Sequence, residues 1–84
     1  MSTRDDIGSA DLEARVRAIV GEVLWVPAAD LDPAAPLIDY GLDSPTAIEL
    51  TLQLEHAFSV SIPEDDAARL TTVATIVRYV EDQA

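Results

Sequence analysis

Apolar residues in this chain recur at helical rather than strand-like spacing. From Leu12 they fall at Leu12, Val16, Ile19, Val20, Val23 and Leu24, one inward face of a helix. Asp11 and Glu13 stand at its positive end, where the dipole favours anions, and Pro27 closes it. A second run, Ala47, Leu50, Leu54, Ala57 and Phe58, marks the core side of a helix from residue 44 to Phe58, broken by Ser59-Val60-Ser61-Ile62-Pro63. Glu64 to Arg69 suit a short turn or two. Val73, Ile76, Val77 and Val80 then face inward on a final helix capped by Thr71 or Thr72. No alternation long enough for a strand occurs. The pattern predicts an all-α four-helix bundle of three main helices and one short one.

Between the first two helices, residues 25–43 carry Pro27, Pro33 and Pro36 with four aspartates, and read as a long ordered loop. Trp25, Val26, Leu31, Leu37, Ile38 and Leu42 are expected to pin that loop to the core, Trp25 as an anchor. Residues 1–9 read as a flexible leader and 10–84 as a single domain. A chain of 84 residues buries about 60–65% of its unfolded surface, enough for a thin core but not for a deep cleft.

Charge narrows the partners. The net charge is −11, with five arginines and no lysine, which argues against binding a phosphate backbone and favours basic protein surfaces. Arginine without lysine, together with abundant alanine, fits a GC-rich genome. No apolar run approaches the ~20 residues that span a bilayer, and Met1-Ser2-Thr3-Arg4-Asp5-Asp6 lacks the order of a secretory signal, so a monomer in the cytoplasm is expected. With no cysteine there is neither a disulfide framework nor a thiolate nucleophile. Asp30, Asp32 and Asp39 suggest a calcium loop, but Ala35 and Gly41 stand where an EF-hand needs glycine and glutamate. No metal site is expected.

The chemistry concentrates at Gly41-Leu42-Asp43-Ser44-Pro45. Ser44 is read as the N-cap of the second helix, with Pro45 at its first position. It is not a catalytic nucleophile. The only histidine, His56, lies 12 residues along the same helix, about 18 Å away, and no glycine follows two places on as a nucleophile elbow requires. Two roles for Ser44 stay open: a cap alone, or a hydroxyl presented for modification by another enzyme, at a helix end whose free amides and dipole favour phosphate. Ile48 and Leu52 point about 160° away from Leu50, sharing a second face with Pro45. Glu49, Glu55 and His56 edge that face. It is either a docking surface or buried in a sandwiched helix.

In these residues the chain resembles the acyl carrier proteins of fatty-acid and polyketide synthesis. The likeness runs from about Leu12 to Val80 and is densest at Gly41-Leu42-Asp43-Ser44, Ile48-Glu49-Leu50, Leu54-Glu55, Phe58, Ile62-Pro63, Leu70-Thr71-Thr72-Val73 and Tyr79. The resemblance implies a four-helix bundle and a non-catalytic role. Ser44 would receive 4′-phosphopantetheine from coenzyme A through a phosphopantetheinyl transferase, and acyl groups would ride as thioesters on the arm. Further implied partners are acyltransferase, acyl-activating and ketosynthase-type enzymes with basic docking surfaces. They would meet Asp43, Pro45, Ile48, Glu49, Leu52, Glu55 and His56, assisted by Glu64 and Asp65. Pro45 departs from the family's usual leucine after the serine, and His56 stands where an acid is common. Polyketide or other specialised biosynthesis is the expected setting. An aminoacyl or peptidyl carrier of nonribosomal-peptide type, and an interaction subunit in which Ser44 only caps, are the alternatives.

Overall fold

The computed structural model describes the backbone of residues 3–83 and the side chains of residues 11–83. Regular structure among these residues is entirely helical: α1 (Thr3–Leu24), α2 (Ser44–Phe58), α3 (Glu64–Ala67) and α4 (Val73–Gln83). Two 3-10 turns, Ala28–Asp30 and Leu37–Tyr40, shape the long connection between α1 and α2. This is the four-helix arrangement that the apolar spacing predicts. α1 begins at Thr3, well before its first inward leucine. Of the leader expected over residues 1–9, residues 3–9 are thus helical backbone, and residues 1 and 2 lie outside the described residues.

α1 packs against both α2 and α4. The periodic positions supply the core: Val16, Val20 and Val23 from α1, Leu50 and Leu54 from α2, and Val73, Ile76 and Val80 from α4 are buried. Leu31, Leu37, Ile62 and Leu70 complete it from the connections. Among the described residues every buried side chain is apolar, so the core carries no polar desolvation cost.

The ends of α1 and α2 share one device. Trp25 and Ser59 are left-handed, with φ of 60° and 54°, and the next amide reaches back five residues, Val26 to the Gly21 carbonyl at 3.0 Å and Val60 to Glu55 at 3.2 Å. This is the Schellman closure, in which the residue after the turn packs back on the helix. Val26 does so, while Trp25 at the apex points outward and is 93% exposed. The expected anchor is therefore a surface residue. Gly21 permits the closure: a Cβ there would sit 2.5 Å from the Val26 carbonyl oxygen.

The long loop is held from three sides. Arg17 of α1 donates to the carbonyls of Ala28 at 3.2 Å and Leu31 at 2.6 Å while paired with Glu13. The Tyr40 hydroxyl accepts the Asp32 amide at 2.9 Å. The Leu37 amide donates to the Thr71 carbonyl at 2.8 Å and the Ala74 amide to Pro33 at 3.0 Å, tying the loop to the start of α4. Leu31 and Leu37 pin it to the core as expected, with Val26 and Leu42 packed beside them. Ile38 does not, being 70% exposed. In a 3-10 turn successive side chains diverge by about 120°, so with Leu37 turned inward its neighbour faces out.

Candidate functional site at the start of α2

Gly41 ends the second 3-10 turn at a φ of 100°, a conformation that suits glycine because no Cβ stands in the way. Its amide donates to the carbonyls of Leu37 and Ile38, and the Leu42 amide returns to Leu37 at 3.2 Å. These bonds deliver Asp43 to the mouth of α2 in an extended conformation.

Asp43, not Ser44, is the N-cap, which corrects the register read from the sequence. Its carboxylate accepts the Thr46 amide at 3.1 Å and the Thr46 hydroxyl at 2.7 Å, while the Thr46 oxygen accepts the Asp43 amide at 2.8 Å. This reciprocal box satisfies donors that a helix start otherwise leaves unpaired. The hydrogen bonds from Thr46, hydroxyl first and then amide, hold the Asp43 carboxyl below the usual carboxylate range.

Ser44 consequently occupies the first helical position, with Pro45 second. Its side chain is exposed, and its hydroxyl has no hydrogen-bond partner among the described residues. The amides expected to greet a phosphate are mostly committed: Pro45 has none, and Thr46 gives its own to Asp43. Only the Ser44 amide remains at this end, beside a carboxylate. A diffusible anion would find few donors there, whereas a group bonded to the Ser44 oxygen would stand in solvent with free reach. The geometry leaves the Ser44 oxygen accessible to a modifying enzyme.

Beyond Ser44, the second face of α2 is open. Ile48 is 63% and Leu52 59% exposed, so the helix is not sandwiched. Pro45, Ile48, Glu49, Leu52 and Gln53 line one shallow groove. Gln53 is the member that sequence reasoning missed. It stands one turn beyond Glu49 and donates to its carboxylate at 3.1 Å, a spacing from which the pairing was readable.

The remaining acids do not line this groove. Glu55 is half-buried and accepts the Ile62 amide at 2.9 Å, securing the turn after α2. His56 is exposed in the last turn of α2, and Glu64 and Asp65 are exposed on α3. Their neighbour Asp66 accepts the Tyr79 hydroxyl at 2.8 Å, a bond that pushes the Tyr79 phenol up from its ordinary value. Among the described residues no helix is long and apolar enough to cross a membrane.

A comparison with family models matches residues 14–80 to the family described as phosphopantetheine attachment site. That span takes in the bundle from early α1 to late α4, together with the exposed serine. The chain belongs to this phosphopantetheine-binding family, whose members carry 4′-phosphopantetheine covalently, and it is a phosphopantetheine carrier.

Proposed function

We propose that the chain is an acyl carrier of polyketide or other specialised biosynthesis, with Ser44 as the attachment point of the arm. The observation that carries this reading is the Ser44 hydroxyl, exposed and unpaired at the first position of α2. When bound, the arm supplies a terminal thiol for thioester chemistry, which this cysteine-free chain lacks. The protein's own residues then have two tasks. Asp43 and Thr46 hold the helix start from which the arm projects, and Pro45, Ile48, Glu49 and Leu52 offer an apolar groove with an acidic edge to visiting enzymes. A phosphopantetheinyl transferase and acyl-loading and condensing enzymes with basic surfaces fit that groove by charge. Asp65 and Glu64 add to the same negative field from α3.

Incubation with coenzyme A and a broad-specificity transferase tests the reading. A pantetheine-sized gain in intact mass is expected, and it is abolished in Ser44→Ala. Subsequent loading by acyl-activating but not amino-acid-activating enzymes supports the acyl carrier. The reverse preference makes it an aminoacyl or peptidyl carrier, and no gain with several transferases leaves an interaction subunit.

A further inference from the structure

The start of α2 admits two capping registers, and the residues next to Ser44 favour the one that is not adopted. Serine is among the preferred N-cap residues, and proline is favoured directly after a cap. A helical conformation is sterically disfavoured immediately before proline, yet Ser44 is helical and precedes Pro45. In the alternative register Ser44 would be extended, and its oxygen would accept the amide of Thr46 or Ala47. The nucleophilic lone pair would then serve as a helix cap.

What opposes this is the box between Asp43 and Thr46. Both the amide and the hydroxyl of Thr46 bond to Asp43, the hydroxyl at 2.7 Å to the carboxylate and at 2.8 Å from the amide. We propose that Thr46 is a positioning residue for the modification of Ser44, its hydroxyl locking Asp43 as the cap so that the Ser44 oxygen stays unpaired and exposed. This rests on the reading of Ser44 as the attachment point. In the transfer, a bond forms between the Ser44 oxygen and phosphorus of coenzyme A, and the bond from that phosphorus to the bridging oxygen of the diphosphate breaks. The hydroxyl proton passes to a base of the transferase, and adenosine 3′,5′-bisphosphate leaves. A serine oxygen engaged as a cap must first release its amide, which slows the transfer by a factor of about 2 to 30.

The test is steady-state modification of the full chain by a broad-specificity transferase with coenzyme A, read by intact mass. Thr46→Val is expected to lower kcat/KM about five- to tenfold, and Thr46→Ser to stay within about twofold. In a Pro45→Ala background, where Ser44 no longer precedes proline, Thr46→Val should cost less than about twofold. The 13Cα and 13Cβ shifts of Ser44 should move from helical to extended in Thr46→Val. Equal losses in both backgrounds, no loss in either, or Ser44 shifts that remain helical would each overturn the proposal. If valine prevents folding, Thr46→Ala replaces it, since alanine is the better helix former. A wild-type chain that gains no mass sinks the attachment reading itself. A Ser44-dependent gain that is indifferent to Thr46 sinks only this inference.

Discussion

Trp25 combines two unfavourable features, a left-handed backbone and near-complete exposure of a large apolar side chain. Neither helps the fold, because the closure of α1 needs only a residue that tolerates positive φ. Trp25→Gly is therefore expected to stabilise the domain by about 1 kcal/mol, measured by urea unfolding, since the left-handed conformation costs a non-glycine residue about 1–2 kcal/mol and glycine's extra backbone entropy offsets part of the gain. Asp43 carries a pH signature. Its folded pKa is depressed, so the contribution of its carboxylate is present above the ordinary value of about 3.9 and is lost as pH falls through the folded value. The difference in melting temperature between wild type and Asp43→Ala should be full at pH 6 and narrow steadily below about pH 4. The start of α2 was legible in the sequence as a capped helix end carrying an exposed serine, but its capping register was not. Ser44-Pro45 and Asp43-Ser44-Pro45-Thr46 both satisfy the rules for starting a helix, and local preference alone points to the first. The reciprocal bonds of Thr46 decide between them, and they are geometry rather than composition.

At the scale of elements, the inward stripes of α1, α2 and α4 were readable because burial imposes a 3.6-residue period. Links formed by long polar side chains leave no such period. Arg15 donates to the Ala57 carbonyl at 3.2 Å and lies 4.6 Å over the Phe58 ring, fastening α1 to the end of α2, while Arg17 holds the loop. Their spacing in sequence says only that they lie on one helix. The early start of α1 was hidden for a similar reason, since residues 3–11 show no apolar repeat. Packing on these elements is steep. Leu54 is essentially fully buried, so Leu54→Ala should cost about 2–5 kcal/mol in urea unfolding, a large share of a small domain's stability. Gly21→Ala should cost about 1–3 kcal/mol despite alanine's better helix propensity, because its Cβ would drive the Val26 carbonyl out of the turn. A neutral or stabilising result would mean that the α1 closure relaxes freely.

For the molecule as a whole, the net charge of −11 makes long-range attraction the first event in any encounter with a basic partner. Glu49 sits on the edge of the groove and, among the described residues, bonds only to half-buried Gln53, so its charge is expected to matter to docking rather than to the fold. Glu49→Lys changes the net charge by two, from −11 to −9, while placing a cation beside Ile48 and Leu52. Its unfolding free energy should stay within about 0.5 kcal/mol of wild type, as surface substitutions usually do. Modification by a transferase with a basic docking surface should instead slow at low ionic strength, mainly through KM. Raising the salt should slow the wild type and bring the two rates together, because the Debye length falls from about 10 Å at 0.1 M to about 3 Å at 1 M. A stability loss without a change in KM would assign Glu49 to the fold, and a rate difference that persists in high salt would mean a direct contact rather than a field.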